Sequence, residues 1–245
     1  MKRAYRRCIS FYNAPVAIAI WTSGNLILSQ PVPKQEKTFA LPPKNDTMRR
    51  VFAYLCDTRG IDREVLHTFV RKGMIYESAD FHNAVFVGFD KNGIARHVHK
   101  RGSHSQSSYK GNADSSNPAY SFHWNGGSGK LYLFEMPVDM LSYISMNKEN
   151  WQQHSYAAAC SGSDLVLFQC MKDMGNIDTV CLCLDNDEAG QSANRRISPK
   201  LREQGVECEI LIPNLKDWNE DLVSDEVDLL SDCESEEMGE RICQT

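Results

Sequence analysis

Short apolar runs and amphipathic stretches alternate through the second half of the chain. LYLFE (131–135), SYAAAC (155–160), TVCLCLD (179–185) and VECEILIP (206–213) are strand-like, and Val138 to Met146, Asp164 to Met174 and Ala189 to Gln204 have helical spacing. Near-continuous apolar strands alternating with helices predict an α/β fold: a Rossmann-like parallel sheet covered by helices on both faces. Gly175 and Gly205 stand where helix ends favour glycine. The preceding stretch has another rhythm. Apolar positions Val51, Tyr54 and Leu55, then Val65, Leu66, Phe69 and Val70, predict two helices over Thr47 to Leu55 and Asp62 to Lys72. Asp62 is placed to cap the second and Gly73 to end it. AVFVGFD and GIARHVHKRG flank Lys91-Asn92-Gly93, which predicts a β-hairpin with Gly93 at positive φ. The first folded part therefore reads as a small α+β subdomain.

Composition sets the boundaries between these parts. Gln30 to Lys44 is rich in Pro and Lys and reads as a linker. From Ser224 onward eight acids face Arg241 alone, a net of -7, so the remainder carries +2 of the formal -5. The expected organisation is a poorly ordered stub and linker (1–40), the α+β subdomain (41–128), an α/β domain (129–223) and a solvated acidic tail (224–245). Nine cysteines occur with no C-x-x-C spacing, which argues against disulfides and zinc and for a reducing cytoplasm. Cys181 and Cys183 share one face of a strand and are expected to pack as small hydrophobes. The basic start has a short apolar stretch broken by Pro15, and no segment approaches membrane-spanning length, so neither export nor a membrane is expected.

Chemistry enters with the acids that follow the strands. Glu135 ends one apolar run, and Asp185 and Asp187 follow another. In an open parallel sheet the ligand site lies outside the carboxyl ends of the strands, so these groups can converge on one rim. Carboxylates gathered there repel one another unless a cation joins them, and hard oxygen donors suit Mg2+ (or Mn2+) and phosphoryl or nucleotidyl transfer. An EF-hand is excluded because the twelfth position from Asp185 is Arg196 and the motif follows a strand. The continuation Glu188-Ala189 departs from the haloacid-dehalogenase pattern.

Glu135 with Pro137 and Asp139, Ser161-Gly162, Asp185-Asn186-Asp187 with Gly190, and Lys216-Asp217-Trp218-Asn219 each follow a strand, and together they resemble a TOPRIM domain. That module is shared by DnaG-type primases, topoisomerases and some nucleases. Upstream, RGIDREV, FVGFDKNGIARHVHKRG and SSYKGN resemble the small subdomain that precedes it in bacterial primases, so the likeness covers about Leu41 to Leu222. The nearest type is the TOPRIM proteins of bacterial mobile elements that carry an uncharacterised N-terminal domain. The resemblance implies Glu135 as general acid or base and possible metal ligand, with Asp185 and Asp187 holding one or two Mg2+ ions. Asp217 is a further ligand in this reading, Lys216 neutralises a phosphate, and Asp139, one turn beyond Glu135, joins the outer shell or serves as a helix-start residue. It also departs from primases: Met136-Pro137 stands where they have Gly-Tyr, the first 40 residues lack zinc-ribbon spacing, and no helicase-binding domain is recognisable.

Between Lys91 and Ala113 lie five cations (Lys91, Arg96, Lys100, Arg101, Lys110) and no acid, with His97, His99 and His104 interleaved. Such a stripe suits a phosphate backbone or a triphosphate, or is an ordinary solvated face. The resemblance favours Arg101 and Lys110 as substrate-facing, with Lys100 beside them. His97 and His99 have no third ligand at zinc spacing. Tyr109 and Trp124 are candidates for base stacking, although packing is the commoner fate of aromatics. The expected activity is primase-like nucleotidyl transfer in mobile-element DNA replication or transfer, on single-stranded DNA or another nucleic acid with nucleoside triphosphates, in the cytoplasm. The alternatives are a metal-dependent nicking nuclease and a non-catalytic nucleic-acid-binding remnant that needs a zinc-ribbon partner. A helicase is a further expected partner.

Overall fold

The computed structural model describes residues 19–22, 25–28, 38–104, 109–160 and 162–225. The chain divides into two units, Met1–Lys37 and Thr38–Thr245. In the first, β1 (Ala19–Thr22) and β2 (Asn25–Leu28) pair antiparallel. Most of the expected stub and linker, and the acidic tail beyond residue 225, lie outside the described residues.

In the second unit, α1 (Arg49–Phe52) continues as a π-helical turn, Ala53–Thr58. The following α2 (Arg63–Arg71) starts at Asp62, whose carboxylate accepts from Glu64 N and Val65 N, the N-cap arrangement expected from the sequence. A four-stranded antiparallel sheet then runs in order β3 (Ile75–Glu77), β4 (Ala84–Phe89), β5 (Ala95–Arg101) and β6 (Lys110–Asn112). The β4–β5 turn places Gly93 at φ 76, the conformation that the Lys91-Asn92-Gly93 signal demands. Glu77 is almost fully buried, yet it accepts from Asn45 Nδ2 (3.0 Å), Arg50 N (3.1 Å) and Val51 N (3.3 Å) and meets His82 Nδ1 at 2.6 Å. One carboxylate thereby ties the start of α1 to the edge strand β3.

The second sheet has the order β11-β10-β8-β9-β7. Its strands are β7 (His123–Trp124), β8 (Lys130–Phe134), β9 (Ser155–Ala158), β10 (Thr179–Leu182) and β11 (Glu207–Ile210). Strands β8 to β11 are parallel as expected, but β7 joins β9 antiparallel, so the sheet is mixed. Two residues of β7 are too few to show a period, which is why the sequence did not reveal it. Helices α3 (Pro137–Met146), α4 (Leu165–Met174) and α5 (Glu188–Glu203) connect the parallel strands, and a further helix α6 covers 218–225. Cys181 and Cys183 are fully buried, and Cys181 also donates to Glu209 Oε2 at 3.2 Å.

One hydrophobic cluster runs through both sheets' territories. Phe69 of α2 packs against Phe122, Trp124 and Trp151 at centroid distances of 5.4, 5.3 and 5.5 Å. Trp124 is thus buried in the core and is no base-stacking platform. The small subdomain is welded to the larger sheet by apolar burial, with Phe69 alone worth about 3–5 kcal/mol against alanine. No helix among the described residues is long and apolar enough to cross a membrane.

Candidate active site

Three segments, after β8, β10 and β11, bring acids to the carboxyl end of the parallel sheet. Glu135 follows β8, and its carboxylate receives the backbone N–H of Asp185, which follows β10. Asp187 is the N-cap of α5, its Oδ1 accepting from Gly190 N at 2.9 Å. Asp217 caps α6 in the same way, its Oδ1 accepting from Asn219 N (3.0 Å) and Glu220 N (2.9 Å). Asp139 sits in the first turn of α3, almost wholly buried. Gly190 is obligatory here: a Cβ on it would meet the carbonyl oxygen of Asp185 at 2.1 Å. Asn186 N donates to Lys216 O (2.8 Å), tying the Asp185-Asn186-Asp187 loop to the loop before α6. Asp221 closes that second loop by accepting from Asn214 N and Leu215 N, both at 2.7 Å.

Asp139, Asp185, Lys216 and Asp217 line a cavity of about 190 Å3 whose cationic wall is Arg59, Arg101 and Lys110. Glu135 stands beside it and feels the charges of Asp187, Lys110 and Lys216. Burial, then the charges of Glu135, Asp217 and Asp187, pushes the Asp185 carboxyl up to about 7. Burial, then the charge of Asp187, raises Glu135, and burial, then the charges of Asp185, Asp217 and Glu135, holds Asp139 well above the usual carboxylate range. Asp185 Oδ1 is buried with no hydrogen-bond partner. An orphaned oxygen among mutually repelling carboxylates fits a hard divalent cation. As the side chains stand, no three His, Cys, Asp or Glu among the described residues converge closely enough to hold a metal ion. The donor set therefore fits Mg2+ in kind and needs side-chain adjustment to close on it.

The expected residues do not all meet. Glu135, Asp139, Asp185, Asp187 and Asp217 share the rim, with Lys216 beside Asp217 and Arg101 and Lys110 lining the same cleft. Lys100 is absent from it: successive residues of β5 point to opposite faces, and Lys100 lines other cavities. Arg96 bonds Asp90 (2.8 Å), an acid just outside the acid-free window, and leaves the stripe. Ser161 lies outside the described residues.

Arg59 had not been singled out. Its Nε donates to Tyr54 Oη (3.1 Å) and its Nη1 to Asn219 Oδ1 (3.0 Å), while Arg101 Nε donates to the same Tyr54 Oη at 3.2 Å. Asn219 Nδ2 in turn donates to Arg59 O (2.7 Å) and Ser142 Oγ (3.0 Å). The signal available in the sequence was the Arg59-Gly60 pair between two helices, which reads equally well as a plain turn. His99 also lines the cavity, its Nδ1 at 2.8 Å from Asn112 Oδ1, and burial keeps its pKa low. His97 is fully buried without a hydrogen-bond partner, and burial takes it down to about 4.

Residues 132–222 match the family described as Toprim-like, and residues 53–128 match DUF3991, a family described as a protein of unknown function. A Bacillus anthracis protein titled uncharacterised protein pXO2-78 is 26% identical over 160 residues, covering 60% of this chain and 46% of that protein. The chain thus spans about half the length of that relative. Among solved structures, the primase fragment of the bacteriophage T7 primase-helicase aligns with a TM-score of 0.53 and 19% identity, covering 69% of each chain. The Aquifex aeolicus primase, with its zinc-binding and RNA polymerase domains, gives 0.52 and 18%, covering 74% of this chain and 55% of that one. The E. coli primase catalytic core gives 0.51 and 14%, covering 74% and 70%. The fold is similar to that of these primase structures, with residues 132–222 forming the part that matches the Toprim-like family.

Proposed function

We propose that this chain, carrying a Toprim-like domain behind a primase-like subdomain, is a Mg2+-dependent enzyme acting on nucleic-acid phosphodiesters or nucleotides. Primase-like nucleotidyl transfer in the replication or transfer of mobile-element DNA is the reading the site supports best. The observation that carries it is the unneutralised carboxylate rim: Asp185 pushed up to about 7, with a buried oxygen lacking any partner, opposite a wall of Arg59, Arg101 and Lys110. Strongly perturbed acids in a cleft cluster at functional sites.

Asp185, Asp187 and Asp217 would hold Mg2+ or Mn2+, with Glu135 beside them. The bound cation supplies Lewis-acid neutralisation of charge developing on phosphoryl oxygens. Glu135, its pKa already raised, is suited to take the proton from an attacking hydroxyl. Arg59 and Arg101, held by the shared Tyr54 hydroxyl, present fixed guanidinium groups to phosphates, and Lys110 and Lys216 add charge without rigid geometry. Burial, then the charges of Asp185, Asp217 and Glu135, holds the Asp139 carboxyl well above its ordinary range, which favours its neutral form beside the other acids.

Incubation with single-stranded DNA, labelled ribonucleotides and Mg2+ or Mn2+, beside the Asp185→Asn/Asp187→Asn variant, tests this reading. Labelled oligomers from the wild type alone support it. A cut DNA strand without oligomers replaces it with nicking. Neither product from the folded protein, even with a zinc-ribbon or helicase protein added, removes the catalytic reading.

A further inference from the structure

A second cavity lies away from the carboxylates. It measures about 650 Å3 and is lined by Arg50, Phe81, His82, Lys100, His104 and Tyr109 among others. No Asp or Glu among the described residues lines it. Glu77 lies beneath, but its oxygens are taken by Asn45, the Arg50 and Val51 amides and His82. A neighbouring cavity of about 370 Å3 shares Phe81 and Lys100 and carries Asp80 and Asp114, so an anion is favoured on the Arg50 side.

The aromatic groups on this rim are displayed at a cost. Phe81 is 89% exposed and Tyr109 45% exposed. Phe81 and His82 also adopt φ 60 and 52, a left-handed backbone that non-glycine residues rarely take. That turn is held in place: Ser78 Oγ bonds Asp80 O and receives Asn83 N, and Ser103 Oγ donates to His82 O. An outward Phe on a strained, braced turn is a poor use of an apolar side chain unless a ligand covers it. Lys100 Nζ lies 5.7 Å from the Tyr109 ring centroid, so cation and ring are adjacent. Exposed rings beside cations, in a cavity free of acids, match a ligand that is flat and apolar at one end and anionic at the other.

We infer that this cavity binds a nucleotide unit, with its base against Phe81 and Tyr109 and its phosphate on Arg50 and Lys100, as a site separate from the carboxylate cleft. The source of that unit is either a free nucleoside triphosphate or one residue of a single strand. Because β5 turns Lys100 to this cavity and the next residue, Arg101, to the carboxylates, one strand serves both places. The inference does not rest on the proposed chemistry, because binding can be read without turnover.

The test is fluorescence anisotropy in EDTA with two probes, a labelled oligothymidylate and a fluorescent ATP analogue, on the full chain. Phe81→Ala/Tyr109→Ala is expected to weaken at least one probe about tenfold or more. Lys100→Ala is expected to weaken the same probe and flatten its salt dependence. Circular dichroism and thermal melting check that the variants fold. Loss for the ATP analogue identifies a free-nucleotide site, and loss for the oligomer alone identifies a strand site. Wild-type affinity of folded Phe81→Ala/Tyr109→Ala for both probes overturns the inference, as does a loss confined to Arg101→Ala. Asp185→Asn/Asp187→Asn is expected to keep this binding, which separates failure here from failure of the carboxylate chemistry.

Discussion

The acids of the antiparallel half are settled, whereas those at the rim of the parallel half are not. Burial works against ionisation at Asp62, yet its hydrogen bonds from Lys148 and the α2 amides hold its pKa below the ordinary value. Arg96 does the same for Asp90. Glu77 is deeper than either and still has four hydrogen-bond partners. At the rim, Glu135, Asp139 and Asp185 are all raised, and Asp185 keeps an oxygen without a partner. The two sheets share a hydrophobic core, so general burial does not distinguish them. Acids of the first half help build the fold; in the second, Asp187 and Asp217 also cap helices, while burial and like charge work against ionisation at Glu135, Asp139 and Asp185.

The sharpest way to break this contrast is chemical. Asp187→Asn should lower metal-dependent turnover about a thousandfold or more while the far-ultraviolet spectrum stays the same. Undiminished turnover would remove the rim from the chemistry. Glu77→Ala is the converse substitution: unpairing buried amides should cost about 2–3 kcal/mol, read by urea denaturation. A change within error there would show that the settled acids are not structural.

Titration sharpens the contrast further. A carboxyl at 3.8 when unfolded and about 7 when folded favours the protonated folded state. The metal-free protein should therefore lose stability as pH rises from about 4 towards 7 and level off above. Asp62, shifted the other way, gives stability that is present at neutral pH and lost as the solution is acidified. Mg2+ should raise the melting temperature by a few degrees near pH 8 and hardly at all near pH 5, with Asp185→Asn flattening both responses. A magnesium effect equal at both pH values would contradict coordination by these acids. The smallest expected effect is on the surface: the Arg63 to Asp57 pair, exposed on both sides, should contribute under about 0.5 kcal/mol when Arg63→Ala is melted.

The sequence made the parallel strands and their helices readable because each buried element carries its own period, and it placed Glu135, Asp185 and Asp217 because such sites follow strand ends. The π-helical turn at Ala53–Thr58 and the two-residue strand β7 carry no comparable period. The basic stripe was visible as charge but not as geometry. Strand alternation divides it, with Arg101 and Lys110 on the carboxylate side and Lys100 on the other, and Arg96 turns to an acid that the chosen window omitted. Arg59 joins the site only through Tyr54 and Asn219, and no local pattern announces a partner so distant in sequence.

That bond has a kinetic meaning. Arg59 and Asn219 are separated by 160 residues, and Asn219 also ties in Ser142. A contact closing so long a loop is expected to form late in folding. During synthesis Arg59 and its near partner Tyr54 emerge long before Asn219, so the cleft stays unassembled until both halves of the fold are present. A fragment ending short of Asn219 would keep most of the acids and hold Arg59 through Tyr54 alone, so the second bond that fixes this guanidinium waits on the last helix of the fold.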